Sequence, residues 1–164
     1  EAIAVQGGLV ELKSVVEHAV RRAALVSPRR VRVETSLEAL QGRRHLVAQA
    51  VLDSALDALL ENAVQHAASR VSVGCEIESR YVNVLIDDDG PGISPEHRAM
   101  VMQPFARVES HRGTPGSGLG LAIACSAAAR LGGTLSIEDS PLGGARLRLR
   151  FEPAQPVGTV IIEG

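Results

Sequence analysis

Three short stretches combine residue types that can do chemistry. Residues 61 and 62 set a carboxylate beside an amide, Glu61-Asn62, in the middle of the run "LLENAVQHA". Residues 87–92 read "DDDGPG", acids running into a glycine turn, and residues 115–122 read "PGSGLGLA" at the start of the helix-forming "LAIACSAAARL". Glycine lets backbone N–H groups approach a ligand with no Cβ in the way. A helix start adds the positive end of the dipole, so Gly116, Gly118 and Gly120 mark an anion site, with phosphate the obvious candidate.

The common phosphate loops do not explain these glycines. The dinucleotide pattern G-x-G-x-x-G would need glycine at position 121, where Leu121 stands, and a preceding strand, where "ESHRGT" stands. The P-loop pattern begins to fit from Gly113 to Gly118, but Leu119 and Gly120 replace its lysine and hydroxyl. Lys13 is the only lysine, so any phosphate bound here is held by backbone, arginine or metal. The acids at 87–89 are consecutive, whereas a D-x-D-x-D-G calcium loop needs them at alternate positions.

The elements around these stretches must position them. Residues four apart share a helix side, so Leu52, Leu56, Leu60, Ala63 and Ala67 form a buried stripe within a helix predicted over residues 43–67. Glu61 with Gln65, and Ala58 with Asn62 and His66, fall on the adjoining sector. Asparagine is a poor helix former, which makes Asn62 unusual in mid-helix. A neutral amide oxygen beside a carboxylate suits Mg²⁺ and its waters. "RVSVGCEIES" and "YVNVLIDDDG" read as two strands of a hairpin. Alternation puts Asp88 in step with Val84 and Ile86, on the inner side, and opposite Asp87 and Asp89. A partly buried carboxylate there suits a hydrogen-bond donor such as an exocyclic amine.

Elsewhere, Leu9, Leu12, Val16, Ala19, Val20 and Ala23 predict a first helix, "RVRVETS" a strand, "PEHRAMVMQPF" a short helix, and "GGTLSIEDSPLGGARLRLRFEP" a second hairpin. Helices alternating with antiparallel hairpins predict an α+β fold, a two-layer sandwich with helices on one face of a mixed, mostly antiparallel sheet. The 164 residues, 45% hydrophobic, suffice for one domain that buries about two-thirds of its unfolded surface. A net charge of −2 and only 2% aromatic residues argue against a nucleic-acid partner. Cys75 and Cys125 lie in separate apolar runs, as buried reduced thiols do. No run is long enough to span a membrane, and no direct membrane contact is expected.

Taken together, "LLENAVQHA", "DDDGPGI", "MQPFARV" and "GSGLGLAIA", in this order and spacing, resemble the catalytic and ATP-binding domain of sensor histidine kinases. That domain belongs to the GHKL ATPase superfamily, with gyrase, Hsp90 and MutL. The resemblance runs from about Leu9 to Phe151. It implies that ATP and Mg²⁺ are the cofactors, with Asn62 the metal ligand and Glu61 the neighbouring acid that acts as a base or orients the transfer. It implies that Asp88 accepts from the adenine amino group while Gly90 and Gly92 pass close to the purine, and that His66 packs near the nucleotide. Phe105 and residues 106–115, including Arg107, would start and form a lid. Gly116, Ser117, Gly118, Leu119 and Gly120 would form its far hinge and phosphate-facing turn.

Two positions depart from the family pattern. Gln65 stands where Lys or Arg is frequent, removing a phosphate contact for which Arg107 and Arg112 are candidate substitutes, the alternative being two solvated surface arginines. Ala58 stands where a second asparagine is frequent. The phosphoacceptor histidine is expected elsewhere, because His18 lacks the neighbours of such a site. Residues 1–153 read as the catalytic domain and 154–164 as a tail or edge strand. The implied partners are the dimerisation and phosphoacceptor helices of a parent kinase and a response regulator, with the domain facing the cytoplasm of a membrane-anchored parent. An anti-sigma-type serine kinase or another ATPase of the superfamily, and a non-catalytic ATP-sensing module, are the alternatives.

Overall fold

The computed structural model describes residues 8–28, 30–42, 44–105 and 118–154. Among them β1 (Leu9–Glu11) leads into α1 (Leu12–Val26), followed by β2 (Arg32–Ser36), β3 (Leu46–Ala48) and α2 (Gln49–His66). The hairpin β4 (Arg70–Glu78) and β5 (Tyr81–Asp88) comes next, then α3 (Arg98–Val101), α4 (Gly120–Arg130) and the hairpin β6 (Thr134–Asp139) and β7 (Ala145–Phe151). The main sheet has the order β2-β4-β5-β7-β6, parallel between β2 and β4 and antiparallel elsewhere. This is the two-layer α+β sandwich that the sequence predicts.

Period-two burial explains the layers. Val71, Val73, Val82, Val84, Ile86, Leu147 and Leu149 point from the sheet into one core with Leu12, Val16, Leu52, Leu56, Leu59 and Leu60 of the helices. The predicted stripe of α2 is buried, as are Val51, Ala55 and Leu59, so the helix is covered on most of its circumference. On the reverse face of the sheet, β7 presents Arg146, Arg148 and Arg150 at alternate positions. They bond Asp87 on β5, then Glu138 on β6 and Glu76 on β4, then Glu78 on β4, the last two contacts reaching across β5.

Three predicted element assignments are corrected. The second helix starts at Gln49 rather than near residue 43, because Leu46–Ala48 pair antiparallel with Leu9–Glu11 and sink Val47 to 2% exposure. Leu9 is accordingly a strand residue, half-exposed, and not part of the α1 stripe. The predicted short helix is a 3-10 turn over Pro95–His97 followed by the single turn α3. At the far end Ala154 donates its N–H to the Leu46 carbonyl at 2.8 Å, so the chain crosses beside β3 after leaving β7.

Candidate functional site

The three aspartates at the end of β5 occupy three different environments. Asp87, on the reverse face, takes a two-pronged contact from Arg146, at 2.7 Å from Nε and 2.9 Å from Nη2. Asp89 accepts the backbone N–H groups of Ala68, Ser69 and Arg70 on Oδ1 and the Ser69 hydroxyl on Oδ2. Burial opposes its ionisation, but these donors outweigh burial and bring the carboxyl down to about 2. It therefore ties the end of β5 to the start of β4.

Asp88 is different. It is 2% exposed, and among the described residues its carboxylate hydrogen bonds all fall on Oδ1, from the N–H of Gly90 at 2.8 Å and of Ala145 at 3.2 Å. Burial pushes its carboxyl up, against the pull of those two donors. The second oxygen is left to accept from a ligand.

Backbone contacts around Asp88 are too close for side chains. A Cβ on Gly90 would run into the His66 carbonyl oxygen at the end of α2, and one on Gly144 would run into the Asp88 carboxylate. Gly144 also donates its N–H to the Asp88 carbonyl oxygen at 3.1 Å. Gly92 lies against Gly144 in turn. Two glycine turns, 90–92 and 143–144, therefore cradle one carboxylate.

Along α2, Ala58, Asn62 and His66 form one row with about 6 Å between successive members. Gly120, the first residue of α4, packs near the Ala58 carbonyl, where its Cβ would sit 3.7 Å away. Gly90 packs against His66 at the other end. Asn62 lies between the two, half-buried, with no hydrogen-bond partner among the described residues. The start of α4 has no side-chain cap and no acid in its first turn, which suits an anion. Leu119 is its N-cap.

Phe105 and Gly118 meet directly. The Phe105 N–H donates to the Gly118 carbonyl at 2.9 Å, both residues have positive φ (62° and 76°), and a Cβ on Gly118 would lie 2.9 Å from the Phe105 backbone. Phe105 is 72% exposed. Arg107, Arg112, Gly116 and Ser117 lie outside the described residues.

Glu61 and Gln65 line a separate groove of about 760 Å³ between α1 and α2, with Arg22, Val26, Leu60 and Val64 among its other walls. The predicted residues thus divide into Asp88, Gly90, Gly92 and His66 at one end of the row, Gly118, Leu119 and Gly120 at the other, Asn62 between, and Glu61 on the flank. Sequence reasoning missed Gly144 and Ala145, which it treated only as a hairpin turn; the doubled glycine in "PLGGAR" was the available signal.

Among the described residues no cluster of three or more His, Cys, Asp or Glu could hold a metal alone. A magnesium ion that keeps most of its waters and takes one protein oxygen fits this donor set, with the Asn62 amide, unpaired among the described residues, the group that qualifies.

Residues 47–155 match the family model for histidine kinase-, DNA gyrase B- and HSP90-like ATPases. The chain belongs to this ATPase family. Sensor histidine kinase CpxA of Escherichia coli K12 is 41% identical over 98 residues, 58% of the chain and 21% of CpxA. Sensor protein RstB of the same strain is 37% identical over 125 residues, 75% of the chain and 28% of RstB. The ATP-binding domain of PrrB from Mycobacterium tuberculosis superposes with a TM-score of 0.69 at 31% identity, over 90% of the chain and 98% of that domain. The mycobacterial sensor histidine kinase MprB superposes with a TM-score of 0.77 at 26% identity, over 91% of the chain and all of that structure. The chain spans about a fifth to a quarter of the length of these curated relatives. Within the ATPase family it sits with the ATP-binding domains of sensor histidine kinases. Among the described residues no helix is long and apolar enough to cross a membrane.

Proposed function

We propose that this chain is the catalytic domain of a two-component sensor histidine kinase, binding Mg·ATP and passing the γ-phosphoryl group to a histidine on a separate helical segment. The observation that carries the reading is the open oxygen of Asp88, held between two glycine turns at one end of the row whose other end meets the start of α4. That spacing suits a purine base followed by phosphates.

In this reading Asp88 accepts a proton-bearing amine of adenine, and Gly90 and Gly92 let the purine lie against backbone. The first N–H groups of α4 face the phosphates, with Gly118, Leu119 and Gly120 shaping the approach and Gly116, Ser117 and Arg107 completing it. Asn62 would hold Mg²⁺, which when bound neutralises phosphate charge during transfer. Phosphoryl transfer is mostly positioning and charge stabilisation, so a Walker lysine is dispensable. Glu61, exposed on the flank of α2, takes or orients the proton of the incoming nucleophile, and His66 backs the nucleotide. Residues 1–153 form the catalytic domain, with 154–164 a C-terminal tail or edge strand, as the Ala154 bridge to Leu46 supports. The partners are dimerisation helices bearing the acceptor and a response regulator, and the domain works in the cytoplasm.

Calorimetric titration with a non-hydrolysable ATP analogue and Mg²⁺ should give one site per chain. Adding a helical-hairpin acceptor and ATP should yield an acid-labile phosphohistidine. Acid-stable phosphoserine would point instead to the anti-sigma type, and absence of heat would overturn the reading.

A further inference from the structure

Arg98, on the single turn α3, makes two contacts that together span both turns around Asp88. Its Nε donates to the Ile93 carbonyl at 3.0 Å, and its Nη2 meets Asp139 Oδ1 at 2.7 Å. Ile93 closes the glycine turn that begins at Gly90. Asp139 ends β6 and is the direct cross-strand partner of Ala145. Gly90 and Ala145 are the two residues whose N–H groups hold Asp88 Oδ1. One guanidinium therefore grips, from outside, both turns that grip the carboxylate from within.

A role in bulk stability does not account for this arrangement. The Asp139 side chain is 92% exposed, and an ion pair to so exposed a carboxylate contributes little to folding. The Arg98 side chain, by contrast, is only 22% exposed, and its planar fork fixes direction as well as distance. The carbonyl of Ile93 supplies a backbone anchor that no side-chain motion can withdraw.

We propose that Arg98 is a positioning residue for nucleotide recognition: it sets the gap between the 90–93 turn and the β6–β7 turn, and so aims the open oxygen of Asp88. The proposal rests on the reading of Asp88 as the group that recognises the base. The Ile93 bond carries more of the effect than the Asp139 contact, because the latter competes with water. Lysine at position 98 can reach one of the two oxygens but cannot span both.

Two measurements test it on the same chain. Hydrogen exchange without nucleotide reads the cradle directly: Arg98→Ala should speed exchange at the Gly90, Gly144 and Ala145 amides about tenfold, while mid-strand β5 amides are unchanged. Calorimetry with Mg²⁺ and non-hydrolysable ATP and GTP analogues reads recognition. Arg98→Ala should weaken the adenine analogue about tenfold and narrow its advantage over the guanine analogue, as expected when a charge-assisted clamp is lost. Arg98→Lys should recover part of that loss, Asp139→Asn should cost about threefold, and the double variant Arg98→Ala/Asp139→Asn should be no worse than Arg98→Ala. Unchanged exchange at the three amides overturns the proposal whether or not nucleotide binds. Equal weakening of both analogues with additive variants also overturns it, leaving a purely structural arginine. Altered exchange in a chain that binds neither analogue would instead sink the nucleotide reading and leave the clamp standing.

Discussion

The two ends of the candidate site are built on opposite plans. At the Asp88 end every turn is tied: Gly90, Gly144 and Ala145 donate to Asp88, Asp89 is saturated by four donors, and Arg98 braces the outside. At the α4 end the helix begins without a side-chain cap, and between the two ends the Asn62 amide has no partner among the described residues. A prepared acceptor discriminates between ligands, because a wrong base leaves it unpaired. Donors and acceptors left unfilled among the described residues cost little in a half-open site, and on the proposed reading the nucleotide's phosphates and Mg²⁺ complete them. On the proposed reading, the contrast means that recognition is built into the fold at one end and deferred to the ligand at the other.

Asp88→Ala is the most severe way to break this contrast. It should reduce affinity for the ATP analogue about 100-fold by calorimetry, since it removes a hydrogen bond to a charged acceptor and its alignment together. Retention of near-normal affinity would mean that the base is read elsewhere. Asn62→Ala should act differently: about tenfold weaker binding in Mg²⁺, and no change when the titration is repeated in a chelator. A loss that is the same with and without metal would remove Asn62 from the metal.

Acid separates the carboxylates in a smaller but ordered way. The Asp88 carboxyl lies above its ordinary value of 3.8, so lowering the pH protonates it first; folding is favoured by that step, but the ionised acceptor is lost and affinity falls. Asp89 lies at about 2, so its hydrogen bonds stabilise the folded chain fully above about pH 4 and are lost as pH drops toward 2. On one pH series, calorimetric affinity should fall before denaturation stability does. Asp89→Asn should flatten the stability limb and leave the order of events at Asp88 intact. The smallest effect is expected on the reverse face, where Arg148→Ala should cost at most about 1 kcal/mol in urea unfolding and leave nucleotide affinity unchanged.

Much of this was legible before any coordinates because it rests on local periodicity. The apolar rows of α2 and the alternation of β5 announce which residues are inside, and Asp88 follows Val84 and Ile86 inward by parity alone. Leu46–Ala48 misled because helical spacing continues through them, whereas their pairing with Leu9–Glu11 is a contact made across more than thirty residues. Ala145 and Asp88 are separated by 57 positions, and no local pattern foretells that a hairpin turn will donate to a distant carboxylate. Arg98 was hidden for the same reason: its meaning lies in two acceptors on different turns, while its neighbours show only a short amphipathic helix.

The meeting of Phe105 with Gly118 has a consequence for engineering. Because a side chain at position 118 would have to displace the Phe105 backbone, changes at these two positions are coupled, and a redesign of one must include the other.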